Sequence, residues 1–308
     1  MNKNLWLDTF YLENFGLILG FLVLLAVPLY FLKDTKTQFQ ASWASVISWL
    51  YAIPILYFFI GIKEPGPLIF LTLVSIYSAK TFLQMVGIYH RHVFVYLIYA
   101  GIILCSVGVH YKNDLILLMS PLLMIFLFCM VPIFKNNTKN MIQYISVAFV
   151  CFVLFGWSVI FSGKILSLPM GAYLLLYLYI LCEFSGNATN MISMLIPSPM
   201  VASQVTSKAK WSGLIVSFVL TLTLAWAFRR MLFNNDEVYW VSAGIICFFS
   251  SHFGEWTISV FRKDLGIKDH GVFIIGRSDL LSRTNRIIFS YPAFTFLLWI
   301  LGDLSFKV

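Results

Sequence analysis

Apolar residues run through this chain in stretches of about 20, separated by short polar punctuation, almost from end to end. As a helix, a stretch of that length crosses roughly 30 Å of hydrocarbon. The pattern predicts about ten spans, at residues 15–32, 43–62, 67–88, 93–109, 115–134, 141–161, 168–184, 211–231, 238–259 and 287–304. The expected fold is therefore an all-α polytopic integral membrane protein. Lys80 interrupts the third span, and snorkelling or an early helix end accounts for it. Most connections are short, but two are not: residues 185–210 and 262–286, both in the C-terminal half. The first, SGNATNMISMLIPSPMVASQVTSKAK, is too rich in Ser, Asn, Pro and Thr to read as a span.

Composition agrees with the pattern. Hydrophobic residues make up 60% of the 308, Phe alone numbers 30, and only 11% are charged, which excludes a soluble globular chain. The net charge of +8 could suggest nucleic acid in a soluble protein; here it reads as the positive-inside bias of loops, and no nucleic-acid partner is expected. Alternate loops hold 13 basic residues on one side (Lys33, Lys36, Arg91, Lys135, Lys139, Lys208, Lys210, Arg262, Lys263, Lys268, Arg277, Arg283, Arg286) against 7 on the other. That bias puts both long loops on the cytoplasmic face, most simply of a bacterial inner membrane. The five cysteines sit in or beside apolar runs without metal-ligand spacing and read as small buried apolar residues. No cleavable signal peptide is expected, because Asp8 and Glu13 precede the first run rather than a basic segment. Nothing divides the chain: one transmembrane domain is expected over 1–308, with 1–166 as helical scaffold and 167–308 carrying the polar function.

Charge crowds into one stretch, Ser251–Arg286. In FRKDLGIKD, the cations Arg262, Lys263 and Lys268 interleave with Asp264 and Asp269. Such a segment can pair internally and with anionic headgroups. It can also hold phosphates through Lys and Arg and a divalent cation through carboxylates. Gly254, Gly266, Gly271 and Gly276 permit the turns and close backbone approach that phosphate sites use. Glu255, at the cytoplasmic end of the ninth span, is either a snorkelled end-of-helix acid or a ligand facing a polar cavity.

The order of these residues resembles the CTP:phosphatidate cytidylyltransferase family, integral-membrane enzymes that make CDP-diacylglycerol. The family pattern runs G-D, then S-x-x-K-R-x-x-G-x-K-D-x-G, then P-G-H-G-G-x-x-D-R-x-D. This chain reads Gly254-Glu255, Ser259, Arg262-Lys263, Gly266, Lys268-Asp269 and Gly271, then Ile275-Gly276-Arg277-Ser278-Asp279 and Ser282-Arg283-Thr284-Asn285, without a gap. Upstream, Gly186 stands where the family has Asp, Met194 and Ser198 fall at basic positions, and Thr206–Gly213 corresponds to a second motif with Ala209 at a lysine position. The resemblance covers roughly residues 180–300.

The resemblance implies displacement at the α-phosphorus of CTP by the phosphate of phosphatidate, with alignment and charge neutralisation by Mg²⁺, Lys and Arg. It assigns Glu255, Lys263, Lys268, Asp269 and Arg283 to catalysis and Lys208, Lys210, Ser259, Arg262 and Arg277 to substrate binding. Glu255 is the expected metal ligand. The second metal position is Ser282, a neutral hydroxyl. Asp279, three residues earlier, is either a relocated ligand or a partner of Arg283. His252 and His270 miss the family's His position, which is Arg277 here, and read as surface or headgroup-facing imidazoles. The implied partners are an anionic phosphatidate-like lipid, CTP if the site is active, the bilayer, and optionally a second copy of the chain as a homodimer. The expected function is thus a phosphatidate cytidylyltransferase-like membrane protein of phospholipid metabolism, with a degenerate metal and nucleotide site and altered or lost activity. The alternative is an inactive relative that binds lipid phosphate or a membrane partner. A transporter is the weaker third class, because only Lys80, Glu183 and Glu255 approach being intramembrane ionisable residues.

Overall fold

The computed structural model describes residues 4–34, 37–206, 209–234, 236–266 and 277–304; the side chains of residues 32, 37, 38, 41, 277–280 and 282 lie outside that description. Among the described residues the architecture is all-helical, apart from one isolated bridge between Met200 and Lys210. Six helical segments are long and apolar enough to cross a membrane. They are α1 (Thr9–Leu32), α2 (Thr37–Gly61), α3 (Gly66–Met85), α4 (His92–His110), α5 (Asp114–Lys135) and the run from α6 (Met141–Cys151) through a π-helical segment (Phe152–Trp157) into α7 (Ser158–Leu166). Five α-helices and the polar function share the remainder: α8 (Gly171–Leu195), α9 (Trp211–Ala227), α10 (Glu237–Asp264), the short α11 (Arg277–Ile287) and α12 (Ser290–Ile300).

Of the ten expected spans, six qualify on length and apolar composition among the described residues; α8 and α10 carry too many polar residues along their length, and α9 is only 17 residues long. Three boundaries also change. The seventh expected span ends at 184, whereas α8 continues to Leu195. Its extra turns are polar in composition but face protein: Ser185, Thr189 and Ser193, at helical spacing, are all buried. Only residues 196–210 then remain as a connection, folded as a hairpin in which Val201 N–H donates to the Ala209 carbonyl (3.2 Å) and Trp211 N–H to the Pro199 carbonyl (3.1 Å). The second long loop, 262–286, contains α11, and the last expected span is broken before α12 begins at Ser290. Polarity marks these stretches as non-spanning, but it does not make them irregular. Lys80 lies within α3, which continues to Met85, and its Nζ sits 5.9 Å from the centre of the Tyr89 ring. Snorkelling, not an early helix end, describes it.

Helix α8 is the axis of the bundle. From Gly171 to Glu183 every residue is buried, and the helix packs against α2, α7, α9, α10, α11 and α12. A helix apolar all round belongs inside other helices rather than against lipid. Helix α1 is its opposite: it packs on α2 and exposes Leu17, Phe21, Leu24, Val27 and Phe31, a lipid-facing surface. The π-helical segment is accommodated by α3, whose Ser75 hydroxyl donates to the Phe155 carbonyl. A side chain thereby satisfies a carbonyl in a widened turn where no water is at hand. At one end of the bundle Lys164 pairs with Asp114 at 2.6 Å and joins α7 to the first turn of α5.

The close contact that places the polar region is between α10 and α11. A Cβ on Gly254 would overlap the Asn285 carbonyl oxygen, so only glycine lets α11 seat at this height. This glycine serves helix packing rather than a phosphate-binding turn, which corrects part of the expectation from its spacing. Ala at 254 should cost about 1–3 kcal/mol of stability. Gly20→Ala in α1, with nothing within 4 Å of the added carbon, should hold or gain up to about 1 kcal/mol. Denaturant unfolding of both variants in one detergent checks the pair, and equal losses would refute the tight α10–α11 contact.

Candidate functional site

Helix α11 is polar yet buried: Arg283, Thr284, Asn285 and Arg286 are each less than 10% exposed. Consecutive polar residues inside a membrane bundle need partners, and the neighbouring helices supply them for Arg283, Thr284 and Arg286. Arg286 Nη1 donates to Glu183 Oε2 (3.0 Å) and to Asn187 Oδ1 (3.0 Å), both on α8. Its Nε lies 3.4 Å from Glu255 Oε2 on α10. Arg283 approaches the same Glu183 oxygen at 4.0 Å and donates to the Ser48 hydroxyl of α2. Thr284 shares a 2.9 Å hydrogen bond with Ser78 of α3. One short helix is thereby tied to α2, α3, α8 and α10.

Gly186 completes the cradle. A Cβ there would lie 2.7 Å from Nε and 2.8 Å from Cζ of Arg286, so the guanidinium occupies the space that any other side chain would need. Glu183 and Gly186 are three residues apart on α8, which puts carboxylate and gap on one face. Beside them, His252 of α10 is 4% exposed, and its Nε2 lies 3.1 Å from the Thr189 hydroxyl, which in turn lies 2.5 Å from the Ser217 hydroxyl of α9. His252 is therefore a packed interior imidazole, correcting its expected surface position. His270 lies outside the described residues.

The expected site residues are only partly gathered here. Glu255 and Arg283 join the cluster, and Ser259 follows Glu255 by one turn on α10 and is buried. Arg262 and Lys263 stand at the exposed end of α10, where Lys263 Nζ donates to the Gln204 carbonyl (3.1 Å) and so pins the 196–210 hairpin to that end. Lys210 caps the start of α9, with its backbone N–H donating to the Ser193 hydroxyl (3.1 Å). Lys208, Lys268 and Asp269 lie outside the described residues. Arg277 and Asp279 belong to α11 by backbone, but their side chains lie outside the description too, so the expected pairing of Glu255 with Asp279 stands as an expectation.

The residue at the centre, Arg286, has no position in the motif, and neither do its partners Glu183 and Asn187. Glu183 did carry a signal: a carboxylate inside an otherwise apolar run implies a buried cation. Nothing in the sequence says which of several downstream cations that is.

For a divalent metal the described residues fit poorly. They contain no group of three or more His, Cys, Asp or Glu. The two carboxylates that converge, Glu183 and Glu255, do so on a guanidinium. Their charge is spent on arginine.

Removing one member of a buried ion pair costs more than the pair contributes, because the other charge is stranded. Arg286→Met should therefore destabilise the protein by about 3–5 kcal/mol. Adding Glu183→Gln should recover at least about 1 kcal/mol through their coupling. Unfolding free energies of the two single variants and the double variant measure this, and strict additivity would contradict the contact.

The profile of the cytidylyltransferase family matches residues 43–301, from within α2 to just past α12. An uncharacterized Escherichia coli K12 protein, YnbB, is 22% identical over 233 residues, which is 74% of this chain and 77% of that protein. Chloroplastic phosphatidate cytidylyltransferase 4 of Arabidopsis thaliana is 32% identical over 89 residues, 29% of this chain and 23% of that enzyme. The phosphatidate cytidylyltransferase of Haemophilus influenzae is 24% identical over 133 residues, 41% of this chain and 46% of that enzyme. The match therefore spans less than half of either named enzyme. The family profile, in contrast, takes in the helices that build the cluster around Arg286, so the chain is an integral-membrane member of the cytidylyltransferase family.

Proposed function

We propose that this protein is a phosphatidate cytidylyltransferase-like component of phospholipid metabolism whose metal and nucleotide positions are rebuilt, so that transfer from CTP is altered or lost while recognition of an anionic lipid phosphate remains. The observation that carries the reading is Arg286, seated between Glu183 and Glu255. Glu255 is the carboxylate expected to hold Mg²⁺, and here it faces a fixed cation instead. Phosphoryl chemistry with an anionic nucleophile depends on charge neutralisation at the phosphates. Gly186, Ala209 and Asn285 are further positions where the resemblance calls for charge and this chain has none.

The lipid-phosphate part of the proposal uses the cations at the end of α10. Arg262 and Lys263 stand at the end of α10, where Lys263 ties down Gln204 of the connection before α9. Cations at a membrane surface attract anionic headgroups at about 1 kcal/mol each. We place this end of the bundle on the cytoplasmic side of a bacterial inner membrane, following the 13-to-7 distribution of basic residues. If transfer is retained, CTP and Mg²⁺ are its co-substrate and cofactor, with Glu255 and Asp279 as the expected ligands; a homodimer is compatible with either outcome.

Purified protein should release no more pyrophosphate from CTP, phosphatidate and Mg²⁺ than a Glu255→Gln control. It should still bind vesicles containing phosphatidate in EDTA without CTP, and Arg262→Ala/Lys263→Ala should weaken that binding about fivefold or more, at roughly 1 kcal/mol per cation. Turnover above the control would instead establish a working transferase, and lipid binding that requires both Mg²⁺ and CTP would overturn the proposal.

A further inference from the structure

The guanidinium of Arg286 does more than neutralise two acids. We propose that it is a built-in cation occupying the place of a divalent ion, so that the cluster takes no metal as it stands, and that shortening Arg286 converts Glu183, Asn187 and Glu255 into a divalent-cation site. The inference concerns the metal preference of the site and rests on the reading above that Glu255 faces Arg286 instead of a metal ion.

Three observations converge on it. First, oxygen donors from two different helices meet at one point: Glu183 Oε2 and Asn187 Oδ1 from α8, and Glu255 Oε2 from α10, within 3.0–3.4 Å of Arg286 nitrogens. Carboxylate and amide oxygens are the ligands that hard cations such as Mg²⁺ and Mn²⁺ take. Second, Glu183 Oε1 is buried and has no hydrogen-bond partner among the described residues, as is also true of Asn285 Oδ1. A carboxylate nine-tenths buried with a spare oxygen is costly in this setting unless a cation stands close. Third, Gly186 leaves open the volume that the guanidinium fills, so deleting that group opens a space lined by oxygen rather than by a neighbouring side chain.

Charge decides which cation wins. Among the described side chains of the cluster, Glu183 and Glu255 face Arg283 and Arg286, two charges of each sign. A divalent ion added to this set would leave two uncompensated positive charges in a region of low dielectric, which is prohibitive. With Arg286 shortened, the remaining groups carry one net negative charge, and a divalent ion becomes favourable. The arginine also has an advantage that a soluble ion lacks, since it is covalently attached and its local concentration does not depend on the medium.

The test uses the full chain in detergent with Mn²⁺ as the probe, read by electron paramagnetic resonance and by thermal unfolding. Wild type should show no Mn²⁺ that Glu183→Gln or Glu255→Gln releases, and no stabilisation by Mn²⁺. Arg286→Ala should bind one additional equivalent of Mn²⁺ over wild type and unfold at a higher temperature when Mn²⁺ is present. Both effects should vanish in Arg286→Ala/Glu183→Gln. If Arg286→Ala does not fold, Arg286→Gln, which keeps a hydrogen-bonding amide but no charge, is read in its place. Wild-type Mn²⁺ lost on Glu183→Gln would overturn the proposal, as would a folded Arg286 variant that gains no Mn²⁺. Pyrophosphate release plays no part in either readout, so failure of this inference and failure of the proposed loss of transfer are told apart by different measurements.

Discussion

The described polar core depends on one buried arginine. Without Arg286, Glu183 would sit inside the most enclosed helix of the bundle with no comparably close cation, and Glu255 would lose its cation on the neighbouring helix. The ion pair need not add net stability over an apolar alternative, since desolvating three charged groups is expensive. What it supplies is position. The guanidinium reaches both α8 and α10, and the rest of α11 follows it, with Arg283 on Ser48 and Thr284 on Ser78 fixing the helix against α2 and α3. The helices before residue 167 are thus more than a lipid-facing wall, because two of them give hydroxyls to the same cluster.

Glycine and arginine act as a matched pair in this arrangement. Gly186 is the gap and Arg286 the group that fills it; Gly254 admits the backbone of Asn285 and so sets the depth at which the arginine enters. These constraints are steric and electrostatic at once. A larger residue at 186 would push the charge away from its acids, and a larger residue at 254 would lift the whole of α11. A family fold is retained while its charged centre is composed differently.

Much of this was readable in the sequence, and the part that was not has a physical reason. Span-length apolar runs gave the membrane class, the positions of α3 to α5 to within a few residues, and the C-terminal ends of α1 and α2, whose N-terminal turns begin earlier than expected. Motif order gave the family and put Glu255 and Arg283 in the site. The stretch 185–195 misled because residue polarity cannot distinguish a solvated loop from a helix whose polar side chains face other helices; Ser185, Thr189 and Ser193 are the second kind. Arg286 escaped because a motif aligns residues with known roles, and its role is to contact Glu183, 103 positions earlier. Such a partnership is a property of packing, and one sequence holds no record of it. His252 was misplaced for the same reason: a histidine near a charge cluster looks solvated until Thr189 is found against it.

The separation of those partners along the chain has a consequence for biosynthesis. The acid is made well before its cation. At about 5–20 residues per second, some 5–20 s pass between the synthesis of Glu183 and that of Arg286. During that interval the α8 segment carries a carboxylate whose cation has not yet been made. The segment must wait without its partner until α11 is made. Assembly of the polar cluster is therefore completed only when α11 is made, and a ribosome that stalls before codon 286 leaves α8 and α10 without the guanidinium that joins them.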